Sequence, residues 1–419
     1  MIDRTQAPIL SAITEIEFIA PKIVPINKFV NLYHMPHVPN DTARLDLYFN
    51  AGKIRNYNSL SSFVSGLLLS GTKDKTSVEI NAAINRLGGF LDTGLSAENA
   101  VISVYCLREH LPELFDILFD AITNVSFQEE EVSDFLADRK QKLQISQEKV
   151  SYLAQSNFQK ELFASDVRYA TILEEEHFEL VKREDLKEFH EQFILNGLER
   201  LVIVGDIPNQ QVESIAKRAL EIAVSEHPEY AATLENRIGA KHVEKEGALQ
   251  SAIRVGRTLF NKNHPDYLDF LVLNTILGDY FGSRLMSNIR EDKGYTYGIG
   301  SMVAEFNRTG YFLIATEVGK DVREAALKEI SNELERLRME LIPEDELNLV
   351  RNYMRGQLLK SADGPYAMTD LYLSAILQGK DLAFYNQALQ AINDITPERI
   401  QELSQKYLQW EQMTIVTAG

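Results

Sequence analysis

One cysteine, Cys106, in 419 residues excludes an intrachain disulfide framework and any zinc site built on thiolates. Histidine offers little more to a metal. None of the eight stands four residues from another on an expected helix, the spacing that turns two imidazoles toward one ion. No apolar run approaches a membrane span: stretches such as Leu67-Leu68-Leu69 and Leu201-Val202-Ile203-Val204 are far too short. Basic residues are in deficit, 43 Lys and Arg against 61 Asp and Glu, for a net charge of -18. That balance argues against a nucleic-acid or anionic-membrane partner, either of which is held mainly through a basic surface. A Walker loop, a Gly-x-Gly-x-x-Gly fingerprint and a Gly-x-Ser-x-Gly elbow are all absent. Met1 to Gln6 lead into no continuous apolar core, and Glu15 and Glu17 interrupt the next candidate stretch. The expectation is therefore no signal peptide and a cytoplasmic location, with the periplasm left open if a leader has been removed.

What is there is an ordinary globular composition, 45% hydrophobic and 25% charged, enough for two or three domains with sizeable cores. Leu45, Leu47 and Phe49 alternate with Asp46, Tyr48 and Asn50, which reads as a strand with one apolar face. Two helical patterns follow. The second opens at Thr76 with Glu79 three residues on, a capping box, and stops at Leu87-Gly88-Gly89. Strands over about Phe90–Ser96 and Asn99–Leu107 come next, then a helix from about Leu111 to Thr123 and a long polar helical stretch from Glu129 toward Phe163.

The second half replays that order. A strand over Ser251–Leu259 leads to helices near Tyr267–Gly278 and Ser283–Asp292, strands near Thr296–Val303 and Gly310–Glu317, and helices over Val322–Glu340 and Pro343–Ser361. Each half closes alike: Leu186, Phe189 and Phe193 precede the strand Leu201–Val204, and Ile400, Leu403 and Tyr407 precede Met413–Val416. An internal duplication follows, predicting two tandem α+β domains, each a mainly antiparallel sheet packed with helices. Chance similarity of two α+β halves is the alternative. The expected domains are 1–225 and 250–419, joined by a polar linker over 226–249 that carries Pro228 and Gly239.

Candidate chemistry is sparse. His34 and His37 flank Met35-Pro36 and, with no third donor nearby, read as a solvated loop. Glu174-Glu175-Glu176-His177 reads as an exposed charged face or the start of a helix. Cys106 falls inside an alternating strand and reads as core rather than as a reactive thiol. The segment Ser283–Ser301 is the unusual one. There a helix ends, the chain turns at Gly294 and a strand begins, so Arg290 and Tyr297 could converge on one face as a clamp for a carbonyl or oxyanion. On the residues alone the plainer reading is preferred: an arginine ending a helix dipole and a tyrosine packing on a sheet.

Two passages shift that weighing. Leu69-Ser70-Gly71-Thr72 leading to Ile84-Asn85-Arg86-Leu87-Gly88-Gly89, together with Ser283–Ser301, resembles the pitrilysin/insulinase family of zinc metallopeptidases. That family includes the mitochondrial processing peptidases and the core proteins of the respiratory cytochrome bc complex. Its active members carry H-x-x-E-H on the helix before a Gly-Thr pair. Counted back from Gly71-Thr72, the resemblance puts Ser62 and Gly66 at the histidine positions and Ser65 at the general base, with the further glutamate ligand at about Gln141 or Lys142. Serine and glycine cannot replace imidazole, and no carboxylate remains to activate water. No metal and no cofactor are expected in this chain.

The resemblance also implies a role for Arg290 and Tyr297, which are spaced like the pair that active members use to hold substrate near the metal. In two-chain members the zinc motif and this pair are divided between subunits. The leading expectation is therefore the non-metal subunit of a heterodimeric zinc endopeptidase. Its partner would be a zinc-bearing homologue, and its substrates unfolded peptides. The alternatives are an inactive structural homologue resembling the respiratory-complex core proteins, or a homodimeric peptide-binding module.

Overall fold

The computed structural model describes residues 13–55, 59–170, 172–222 and 234–419. The N-terminal stretch Met1–Gln6 and the part of the expected linker up to residue 233, with Ser225 and Pro228, lie outside the described residues.

Strands β1 (Lys22–Pro25), β2 (Asn31–Met35), β3 (Thr42–Phe49), β4 (Phe90–Leu95), β5 (Ala100–Leu107) and β6 (Leu198–Val204) form the first sheet in the order β1-β2-β6-β3-β5-β4. Only β2 and β6 pair in parallel. Strands β7 (Gly239–Val243), β8 (Gln250–Leu259), β9 (Thr296–Glu305), β10 (Gly310–Gly319) and β11 (Thr414–Ala418) form the second in the order β7-β11-β8-β10-β9, with β7 and β11 the parallel pair. Apart from β1 the two orders superimpose strand for strand, so the two halves share one topology. Strand β7 occupies part of the stretch expected as linker.

The helices of the first half are α1 (Leu60–Leu67), α2 (Ser77–Arg86), α3 (Leu111–Thr123), α4 (Glu129–Gln147), α5 (Val150–Leu162), α6 (Glu175–Leu180), α7 (Arg183–His190) and α8 (Asn209–Ala219). Those of the second are α9 (Tyr267–Leu277), α10 (Arg323–Met339), α11 (Glu344–Ser361), α12 (Gly364–Ile376), α13 (Ala383–Asp394) and α14 (Pro397–Tyr407). Among the described residues no helix is long and apolar enough to cross a membrane.

Local signals decide the element ends. Thr76 and Glu79 close the reciprocal capping box at the start of α2, satisfying two backbone donors that the helix leaves open. Leu45, Leu47 and Phe49 are fully buried against Phe63 of α1 and Phe115 of α3 in the larger of the cores. Cys106 lies on that same buried face of β5.

The other face of β3 is covered as well. Asp46 is 2% exposed, because α12 of the second half lies over this part of the first sheet. Arg44 bridges Asp46 at 3.0 Å and Asp370 of α12 at 2.6 Å, and the Thr42 and Tyr366 hydroxyls meet at 2.8 Å. Burial pushes the Asp46 carboxyl up to about 6 against the pull of Arg44. Leu373 of α12 packs on Met35, Val202 and Val204.

The trade is reciprocal. The polar stretch from Glu129 breaks at an extended Lys149 instead of running on as one helix. Beyond the break α5 leaves its own sheet and packs on β8 and β11 of the other. Phe158, 0% exposed, inserts there beside Tyr311, Leu313 and Val416. The backbone of β8 admits the ring closely because position 256 is glycine, where a Cβ would stand 2.9 Å from it. Helix α5 follows α4 as α12 follows α11, so each repeat lends its corresponding helix to the other's sheet.

One histidine reading is also corrected. His34 belongs to β2, an interior strand, and is buried with Nε2 3.0 Å from the Gly205 carbonyl oxygen. His37 lies just beyond the strand, exposed, at φ 69. His177 does sit in the first turn of α6, as the acidic run suggests. Its ring, however, is buried: Nδ1 accepts from the Glu174 backbone N–H at 3.0 Å, with the Ser59 hydroxyl at 3.3 Å.

Candidate functional site

Arg290 rides on a short π-helical segment, Met286–Asp292, which follows the buried Leu285 and precedes Gly294 in the left-handed region. Such wide turns recur at functional sites because the extra residue swings side chains out of the α-helical phase. The half-buried Arg290 guanidinium lies over the Phe281 ring, 4.7 Å from its centroid, and Phe281 is 63% exposed. The aromatic face holds the cation without consuming its hydrogen-bond donors.

Tyr297 is the second residue of β9, the edge strand of the second sheet. The register with β10 slips here: Ile299 faces Thr316 and Thr296 faces Val318, so β9 carries one residue more than its partner. This is a bulge, and bulges re-aim side chains. Two hydroxyls pin it. Thr296 donates to the Glu317 carbonyl at 2.7 Å and accepts from the Gly298 N–H at 3.1 Å, while Thr316 donates to the Gly298 carbonyl at 2.9 Å. Tyr297 consequently stands 95% exposed, its hydroxyl free to meet a ligand. The two candidate residues flank one turn, but in this structure Arg290 rests on Phe281 and not on the phenol. What the segment presents is a planar cation on one side of the turn and a neutral hydroxyl donor at the sheet edge on the other.

The first half presents the opposite case. On α1, Ser62 accepts a hydrogen bond from Arg139 Nη2 at 2.8 Å. A Cβ on Gly66 would stand 2.5 Å from the ring of Phe135. Ser65 Oγ is buried and without a hydrogen-bond partner. Phe135 and Arg139, one helical turn apart on α4, are thus the residues that face Ser62 and Gly66. This corrects the expectation for Gln141 or Lys142: Lys142 points outward and pairs with Asp138 at 2.6 Å. Counting along the sequence missed Arg139, whereas the four-residue spacing of Phe135 and Arg139 matches that of Ser62 and Gly66 and could have found it. These residues do not fit zinc. Hydroxyls, a glycine and a cation supply no imidazole or carboxylate, and among the described residues no three His, Cys, Asp or Glu side chains converge.

Cys106 offers no nucleophile either, since burial pushes its thiol up to about 11. In the folded chain it should react with an aromatic disulfide reagent about 100-fold more slowly than in denaturant at the same pH, followed by absorbance. Equal rates would mean that β5 opens readily.

Comparisons with known proteins give the family and the fold. Residues 34–173 match the family model described as insulinase (peptidase family M16), and residues 181–354 match the one described as peptidase M16 inactive domain. The chain is 22% identical to an uncharacterized zinc protease, YmxG, of Bacillus subtilis strain 168, over 83% of this chain and 85% of the relative. It is 24% identical to the non-peptidase homolog YmxG of Helicobacter pylori, over 65% and 64%. The crystal structure of a peptidase M16 inactive domain from Pseudomonas fluorescens shares the fold with a TM-score of 0.83 at 20% identity, covering 95% of this chain and 98% of that one.

Proposed function

Because this chain belongs to the insulinase (M16) family of peptidases, we propose that it is the non-metal subunit of a two-chain zinc endopeptidase acting on unfolded peptides. The observation that carries this reading is a contrast. The helix that bears the metal motif in active members has Ser62, Ser65 and Gly66, while the Arg290 and Tyr297 pair is present and Tyr297 is freely presented. In this reading a homologous partner contributes the H-x-x-E-H helix, and its zinc activates the attacking water.

The residues of this chain do the rest. Extended peptide adds along an exposed sheet edge, as strands do where backbone donors and acceptors are unpaired. Arg290 binds and polarises the carbonyl to be attacked, and Tyr297 donates to the oxyanion as it forms. The second reading, a structural or peptide-binding homologue without proteolysis, is favoured by Arg139 and Phe135 filling the degenerate motif and by the non-peptidase relative.

The purified chain should hold no stoichiometric zinc by metal analysis and cleave no unstructured peptide. Mixed with a homologue bearing an intact H-x-x-E-H helix, it should form a stable complex that does cleave. One tightly bound zinc per chain would overturn the inactive-subunit reading. A stable homodimer that ignores every such homologue would move the assignment to the second reading.

A further inference from the structure

The helix face that holds a metal in active relatives is occupied here by positive charge. Arg139 spends one donor on Ser62, its guanidinium lies 5.9 Å from the Phe135 ring centroid, and its Nε is buried without an acceptor. Among the described residues no carboxylate forms an ion pair with it. Lys53 stands on the single turn Lys53–Arg55, which packs against α1 beside that face. Solvent reaches Lys53, yet desolvation comes first in lowering its ammonium pKa and repulsion from Arg139 second. Among the described residues neither cation forms an ion pair with an acid, which is conspicuous in a chain of net charge -18. The buried Ser65 hydroxyl, one turn along α1 from Ser62, is a further donor without an acceptor.

The geometry points to a carboxylate-binding site in which the Arg139 guanidinium and the Lys53 ammonium hold a carboxylate of a bound peptide where active relatives hold their metal. It rests on the peptide-binding reading above. A guanidinium suits the ligand because it presents N–H groups in a plane that matches the two oxygens of a carboxylate. Arrival of such an acceptor would satisfy the idle Arg139 donors and relieve the repulsion between the two cations. The carboxylate can come from the C-terminus of a peptide or from an acidic side chain, and the test separates these.

Three fluorescent unstructured peptides of one neutral sequence serve as probes for the full chain. One has a free C-terminus, one is amidated, and one is amidated with a single glutamate. Anisotropy titration should show one or both carboxylate peptides binding roughly 10–100-fold more tightly than the neutral one, the range expected of charge-assisted hydrogen bonds. Which of the two gains identifies the source. Arg139→Met keeps the stem on Phe135 and should erase the preference while leaving the neutral peptide unchanged. Lys53→Met, at a solvent-reached position, should reduce it and carries the test if the first variant fails to fold. Equal binding of all three peptides, or a preference that survives both substitutions, overturns the site and leaves peptide binding standing. Failure of the unaltered chain to bind any of the three overturns both.

Discussion

Turnover of an unstructured peptide by the complex with a zinc-bearing partner should fall by ~10²–10³ when Tyr297 is changed to Phe, the usual effect of losing one oxyanion donor. The substitution removes only a hydroxyl. Tyr297 is 95% exposed on a bulge held by Thr296 and Thr316, so the sheet does not depend on that oxygen. A loss confined to kcat would place the contact in the transition state, and a rise in KM alone would place it in substrate binding. Arg290→Ala should lower turnover similarly and also weaken peptide binding, because a guanidinium that grips the ground-state carbonyl acts before the reaction begins. Tyr295→Phe is the control. Tyr295 packs against the second core and its backbone N–H bonds the Ile289 carbonyl, so its hydroxyl is not presented in the same way. Unchanged turnover in both Tyr297→Phe and Arg290→Ala, with assembly confirmed, would leave the pair as architecture and favour the non-proteolytic reading.

Phe158→Ala should cost about 3–5 kcal/mol of stability, as large-to-small changes at closed aromatic sites do. The ring is fully buried between α5 and the second sheet and touches Tyr311. Neighbouring strands are tied into two sheet ladders and cannot collapse far into the space it would leave. Urea unfolding measures the loss. Ile145→Ala, on an exposed position of α4, should stay within about 0.5 kcal/mol. The pair of variants tests the exchange of helices directly. A fragment of residues 250–419 lacks α5, so Leu313 and Val416 would be uncovered, and it should not fold alone. If Phe158→Ala cost no more than Ile145→Ala, α5 would not be part of the second core.

Elements whose cause lies within a few residues are legible in the sequence. Thr76 and Glu79 make a capping box because both partners sit in one turn, and Leu45, Leu47 and Phe49 share a face because strand side chains alternate. The replayed order of strands and helices announced the duplication that the matching sheet orders display. The burial of Asp46 and of the His34 ring is not legible in the same way. Each is covered by chain distant in sequence, α12 over the first and Gly205 beside the second, and no local pattern reports what will lie on top of a polar residue.

The sequence by itself determined the two-domain α+β class and the placing of serine and glycine at positions 62, 65 and 66, because residue identity and short-range periodicity suffice for both. Only the tertiary structure decided that Arg139 and Phe135 close over the degenerate helix, that a bulge turns Tyr297 outward, and that α5 and α12 change places. Those outcomes depend on strand register and on contacts between segments far apart along the chain. Such contacts are set by which buried surfaces fit one another, a quantity that no window of sequence contains.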